Sequence, residues 1–229
     1  MGQQALRAEL AACCRRLHAR GILAGTEGNC SRRLEDGSLL VTASGIDKAT
    51  IGEQDVLHCD LQGELLSSPM PGQRLSSEVA MHLTLYRARP DIGAVVHAHP
   101  VAATGFAAAG VGLPDDVLPE LPVVVGGVAL VPYGRPGTPA LGAAMHPFLA
   151  DHEVFLLANH GVTVVGRTLT DAVTRMESVE QSAQILLAAT RLGGPRPLPP
   201  GEAEALRALG PRARRLMDRS TADVLTDGV

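Results

Sequence analysis

His97 and His99 stand one residue apart in Gly93-Ala-Val-Val-His-Ala-His, an otherwise apolar run. Side chains alternate along a strand, so residues two apart leave the same face a few ångströms from each other. A buried pair of imidazoles is costly unless each ring nitrogen finds a partner, and a divalent metal satisfies two nitrogens at once. His160 lies in Ala158-Asn159-His160-Gly161, at the end of another apolar run, where a sharp turn could aim a third imidazole at the same point. Three histidines can form a zinc site with an open coordination position. Taken alone, the His-x-His pair suits a satisfied core as well as it suits a metal. His82 falls one helical turn after Glu78, which makes it a candidate supporting partner of that carboxylate. His18, His58, His146 and His152 have no such spacing and are read as ordinary structural or surface residues.

A second constellation is Gly25-Thr26-Glu27-Gly28-Asn29, followed by Thr42-Ala43-Ser44-Gly45 and by Ser76-Ser77 ahead of a helix. Glycines with small hydroxyl and amide residues offer donors without bulk, and a helix N-terminus favours an anion. Each segment alone is ordinary turn chemistry; together they could hold a phosphate. Lys48, the only lysine, follows Ser44-Gly45 closely and either adds charge near that anion or is simply exposed.

These residues need elements to hold them. Leu6, Leu10, Cys13 or Cys14 and Leu17 recur at steps of three and four, with Gly21 as a stop, which predicts an amphipathic helix over 3–20. Turn residues at 35–38 and 62–64 divide strands near 28–34, 39–42 and 56–60. A helix capped by Ser76 or Ser77 runs to about Arg89 before Pro90. A buried strand at 93–99, a small-residue helix at 101–109 and one or two strands within 123–131 follow. After them come a helix near 138–150, strands at 154–158 and 162–165, a long helix at 169–192, and a last helix over about 201–218 with a tail from Ser220. The class is α/β/α with a mixed or mainly antiparallel sheet.

Composition closes off other functions. The 229 residues carry 20 basic and 24 acidic side chains, a formal charge of −4, which gives no pull toward nucleic acid or an anionic membrane. Two tyrosines, three phenylalanines and no tryptophan cannot build stacking platforms or aromatic cages. Cys13, Cys14, Cys30 and Cys59 show no Cys-x-x-Cys pair and are read as reduced thiols. The opening residues have no apolar signal core, and no apolar run approaches the roughly 20 residues needed to cross a bilayer. The expectation is a soluble cytoplasmic protein of one domain spanning 1–229.

The ordered set Gly-Thr-x-Gly-Asn (25–29), Thr-Ala-Ser-Gly (42–45), Ser-Ser-Glu (76–78), Val-Val-His-Ala-His (95–99) and Asn-His-Gly (159–161) resembles the class II aldolase/adducin family over roughly residues 5–195. The resemblance implies a single three-layer α/β/α domain around a mainly antiparallel sheet. It also implies one zinc per chain near subunit interfaces of a homotetramer. By that match His97, His99 and His160 are the zinc histidines. Glu78 is the carboxylate that binds zinc at rest and serves as acid/base once substrate displaces it. Gly28, Asn29, Ser44, Gly45, Ser76 and Ser77 match the sugar-phosphate positions, and Thr26 is a weaker candidate. Where the sugar aldolases lend a tyrosine to a neighbouring subunit, this chain reads Val117-Leu118-Pro119-Glu120-Leu121-Pro122, and Glu120 is the acid within reach. The activity implied is zinc-dependent cleavage of a ketose 1-phosphate, such as L-fuculose 1-phosphate, to dihydroxyacetone phosphate and an aldehyde. The same fold also hosts methylthioribulose-1-phosphate dehydratases, sugar-phosphate epimerases and decarboxylases, and the non-enzymatic adducin scaffold. Retention of Glu78 with all three histidines argues against the scaffold, because such groups are a liability without a metal.

Overall fold

The structure, a computed structural model, describes residues 2–210. Alternation of side chains across one sheet organises it. Val95 packs on one face and Val96 on the other; Phe155 and Leu157 oppose Leu156, and Val165 opposes Val164. A strand apolar on both faces must be covered on both, so helices lie on each side.

The chain runs α1 (Gln3–Ala19), β1 (Asn29–Arg33), β2 (Leu39–Thr42), β3 (Val56–Cys59), α2 (Val79–Ala88), β4 (Ala94–Ala98) and α3 (Val101–Ala109). Then follow β5 (Val128–Val131), α4 (Pro139–Met145), β6 (Val154–Leu157), β7 (Gly161–Gly166) and α5 (Leu169–Arg191). The strands form one sheet in the order β3-β2-β1-β4-β7-β6-β5, antiparallel at every pairing but β5 with β6. Leu10 and Leu17 of α1, Ala103 of α3 and Met176 and Val179 of α5 share one core with the inner face of β1, β4 and β7. Leu85 and Tyr86 of α2 and Leu141 and Met145 of α4 share the other. This is the three-layer α/β/α arrangement around a mainly antiparallel sheet that the resemblance implied.

Local chemistry sets several boundaries. The Thr138 hydroxyl accepts from Ala140 N–H and the Thr168 hydroxyl from Asp171 N–H, capping α4 and α5. Three expectations shift. The segment 123–131 is not strand throughout: Leu121–Val125 form a π-helical turn, and only Val128–Val131 pair. Pro122 has no N–H for a ladder, and Val124 O accepts from the Arg175 guanidinium of α5 instead. The helix expected over 138–150 ends at Met145 and tightens to a 3₁₀ turn at His146–Phe148, because Pro147 cannot supply the next α-helical hydrogen bond. The second helix begins at Val79 rather than at Ser76 or Ser77, although the Ser76 hydroxyl does accept from Glu78 N–H. Residues 202–210 are helical, as expected; the rest of that helix to 218 and the tail from Ser220 lie outside the described residues. Among the described residues no helix is long and apolar enough to cross a membrane.

Candidate metal centre and anion cradle

Strand register brings the two constellations together. Asn29, first residue of β1, pairs with His97 of β4, and His97 pairs on its other side with Thr163 of β7. The candidate anion-loop residue Asn29 and the candidate metal ligand His97 are thus neighbours across one ladder. His99 follows the end of β4, and His160 sits in the turn joining β6 to β7. That turn is possible because Asn159 takes φ +57°, a left-handed conformation that asparagine tolerates. Gly161 is required for closeness: a Cβ there would stand 2.4 Å from His99 Cδ2 and 2.7 Å from Ala98 O.

The three imidazoles face one another with ring centroids 4.7–5.0 Å apart. His97 Nδ1 lies 3.0 Å from both Val162 O and Thr163 Oγ1, and the carbonyl can only accept, so Nδ1 carries the proton. His99 Nδ1 lies 3.1 Å from Glu27 Oε2, which likewise accepts. With the proton on Nδ1, the neutral form of each ring presents a bare Nε2, and the two Nε2 atoms stand 3.1 Å apart. Two lone pairs at that distance repel unless a cation lies between them. Ligand nitrogens of a tetrahedral zinc stand roughly 3.3 Å apart, so the pair is spaced for a metal. Glu78 Oε1 completes the set at 2.9 Å from His160 Nε2 and 3.5 Å from His97 Nε2. Three nitrogens and one carboxylate oxygen converge, a donor set suited to a divalent ion of the zinc type.

Electrostatics agree with this arrangement. Burial alone would raise the Glu78 carboxyl, but the hydrogen bond from His160, the charges of His97 and His160, and the Asn29 amide hold it well below the usual carboxylate range. His97, fully buried, is pushed down to about 3, mainly by desolvation. An ionised carboxylate and a neutral His97 are the forms in which these two groups ligate metal.

Beside this centre lies a cavity of about 220 Å3 lined by Thr26, Glu27, Gly28, Asn29, Ser44, Gly45, Ser76, Glu78 and His99. Gly28 holds φ +72°, and a Cβ there would meet His97 O at 2.6 Å, so only glycine lets this loop lie on β4. Of the expected phosphate residues, Gly28, Asn29, Ser44, Gly45 and Ser76 are brought to the cavity. Ser77 is exposed outside it, beside Gly137. Glu120 is exposed immediately before the π-helical turn and does not line the cavity of its own chain.

Of the two expectations for Lys48, exposure does not hold. It is buried, 1% exposed, and its Nζ donates to Thr26 O at 3.1 Å and Ile46 O at 2.8 Å, while its backbone N–H donates to Gly25 O. The ammonium ties the 25–29 loop to the segment after Gly45 from beneath. Sequence reasoning also missed the Glu27 bond to His99 and the packing of Ser31 and Tyr86 against His82. Neither has a spacing signal, since each contact joins separate elements.

Comparison with known proteins agrees with the geometry. Residues 8–187 match the family described as Class II Aldolase and Adducin N-terminal domain. The chain is 37% identical over 188 residues to the 3-oxo-tetronate 4-phosphate decarboxylase of Escherichia coli K12, covering 80% of this chain and 87% of that protein. It is 32% identical over 173 residues to the L-fuculose phosphate aldolase of Methanococcus maripaludis, covering 75% of this chain and 91% of that protein. The crystal structure of YgbL from Escherichia coli superposes with a TM-score of 0.83 at 33% identity, covering 90% of this chain and 99% of that one. With its strand order, its three facing histidines and these matches over most of its length, the chain belongs to the class II aldolase/adducin family.

Proposed function

We propose that the chain is a zinc-dependent carbon–carbon lyase of phosphorylated sugars or sugar acids, and that its reaction is decarboxylation of a 3-oxo sugar-acid phosphate of the 3-oxo-tetronate 4-phosphate type. His97, His99, His160 and Glu78 would hold a divalent metal, which would supply Lewis-acid stabilisation of the negative charge that develops on the substrate. Gly28, Asn29, Ser44, Gly45 and Ser76 hold the phosphate.

One observation supports the choice of reaction: among the described residues Glu78 is the carboxylate that meets the Nε2 atoms of His97 and His160, whereas Glu27 meets His99 only at Nδ1. Breaking the C1–C2 bond of a 2-hydroxy-3-oxo acid releases carbon dioxide and leaves the electron pair as an enediolate over C2 and C3. One proton must then reach C2, which yields dihydroxyacetone phosphate, and in this reading Glu78 delivers it. Aldol cleavage reaches the same enediolate but also needs a base for the hydroxyl on the carbon that becomes the aldehyde. Glu27, the other carboxylate at the cavity, is engaged with His99. The 37% identity to a named decarboxylase supports the same reading.

The second reading is aldol cleavage of a ketose 1-phosphate such as L-fuculose 1-phosphate, which the likeness to the Methanococcus maripaludis aldolase favours. It requires a second acid/base, and Glu120 fills that role only from a neighbouring copy in a homotetramer. The test is product analysis on purified, zinc-loaded protein. Carbon dioxide and dihydroxyacetone phosphate released from 3-oxo-tetronate 4-phosphate are expected. Release of dihydroxyacetone phosphate with an aldehyde from ketose 1-phosphates, and no carbon dioxide, would transfer the assignment to the aldolase.

A further inference from the structure

Behind Glu78 runs a chain of buried side chains that the reaction itself does not call for. Asn29 Nδ2 donates to Glu78 Oε2 at 2.8 Å. Asn29 Oδ1 lies 2.5 Å from His82 Nε2, His82 Nδ1 lies 2.6 Å from Ser31 Oγ, and Ser31 Oγ lies 2.9 Å from the Tyr86 hydroxyl. Ser31 and His82 are wholly buried, Tyr86 is 1% exposed and Asn29 4%. These residues come from β1 and α2, so the chain crosses from the sheet to the helix that begins just after Glu78.

The proton positions follow by elimination. The Glu78 carboxylate can only accept, so the Asn29 amide nitrogen must face it and the Asn29 carbonyl must face His82. A carbonyl also only accepts, so His82 Nε2 carries the proton. A neutral His82 then has a bare Nδ1, which takes the proton of Ser31, and Ser31 in turn accepts from Tyr86. The Arg33 guanidinium covers the Tyr86 ring 5.0 Å from the centroid. Every donor points toward Glu78, and each bond polarises the next. Burial holds His82 neutral, with its pKa lowered to about 4, the one protonation state this order permits.

We propose that His82, backed by Ser31 and Tyr86, is the positioning residue of this site: it fixes the Asn29 amide so that Glu78 Oε2 is held and Oε1 alone is presented to the histidines and the reacting carbon. The inference rests on the reading of Glu78 as the working carboxylate. Without the lock, the Asn29 amide could rotate, set its carbonyl against Glu78 and turn the carboxylate away from the centre. His82 touches no substrate; it acts through Asn29.

The test uses the full-length, zinc-loaded protein with nitrogen-15-labelled histidine. The His82 signal, assigned by its loss in His82→Gln, is expected to show a protonated Nε2 and a bare Nδ1 from pH 5.5 to 8. A protonated Nδ1 would overturn the proposal, whatever the substrate proves to be. Kinetics give the second arm. His82→Leu is expected to lower kcat by roughly 10- to 100-fold at full zinc occupancy with a smaller change in KM. His82→Gln, whose amide can still donate to Asn29, is expected to recover most of that loss. Should His82→Leu not fold, Ser31→Ala serves in its place, with a several-fold fall in kcat and a mixture of His82 tautomers expected. Wild-type turnover with an unchanged kcat in His82→Leu or Ser31→Ala would overturn the proposal alone. A wild-type protein that turns over no candidate substrate would instead remove the functional reading, and the tautomer would still decide the positioning claim.

Discussion

The two oxygens of Glu78 have different duties: Oε2 takes the Asn29 amide and Oε1 faces His97 and His160. Glu78→Gln is therefore expected to retain zinc within about tenfold while lowering turnover by roughly 10²- to 10⁴-fold. Metal content and steady-state kinetics on one preparation check it, and unchanged turnover would take Glu78 out of the chemistry. His97→Ala or His160→Ala is expected to lose bound zinc while the circular dichroism stays native, because each truncates one imidazole and leaves the backbone ladder of the sheet in place. Full zinc occupancy in both variants would sink the ligand assignment. The three histidines were legible as metal candidates from residue type and spacing, whereas Glu78 entered only through the family resemblance. Lys48 was not legible, since its role depends on two carbonyls from different loops meeting beneath the cavity. Lys48→Met is expected to weaken inorganic phosphate binding at least several-fold and to lower the melting temperature. Calorimetric titration with phosphate and a thermal scan check both.

Elements enter the site through their ends, and the β6–β7 turn is the most exacting of them. Gly161→Ala places a methyl 2.4 Å from His99 Cδ2 and 2.7 Å from the Ala98 carbonyl, whose backbone cannot move without shifting β4. The expected result is a fall in zinc affinity together with a loss of about 1–3 kcal/mol in stability. Zinc titration and urea denaturation measure the two, and native values for both would show that the turn has slack. Away from the site, Arg175 ties α5 to the rest. Its buried guanidinium meets Glu153 at 3.0 Å and Asp171 at 3.2 Å and donates to Val124 O and Val165 O. That contact explains why 123–131 misled the sequence reading. A valine-rich run reads as strand, but a carbonyl claimed by a guanidinium on another element and a proline in the run favour a π-helical turn. The break at Pro147 was more accessible, because a proline inside a helical pattern is itself a stop signal. By contrast, the long regular elements α1, α5 and β4 could be read from apolar spacing alone.

At the scale of the whole molecule, two-faced strands fix three layers, and this much followed from alternation and helix periodicity. Strand order did not, since nothing local says that β4 pairs with both β1 and β7. That pairing buries His97 at the centre of the sheet, and His82 is sealed beneath α2, both held neutral by desolvation at about 3 and about 4. An unfolded histidine titrates near 6.5, so between that pH and about 4 the unfolded chain binds protons that the native fold excludes. Stability therefore rises with pH across this window and is lost as the pH falls through it. His82 alone accounts for on the order of 3 kcal/mol, from a depression of about two and a half pH units at 1.36 kcal/mol each. Glu78 works in a lower range: its depressed carboxyl stabilises the fold above the ordinary carboxylate pKa, and that contribution is lost only as the pH falls further. The interval from pH 7 to 5 thus isolates the histidines. Urea denaturation of the zinc-free protein is expected to show stability falling between pH 7 and 5, with a shallower fall in His82→Gln. Equal slopes in the two proteins would mean that His82 takes up its proton inside the fold as readily as outside it.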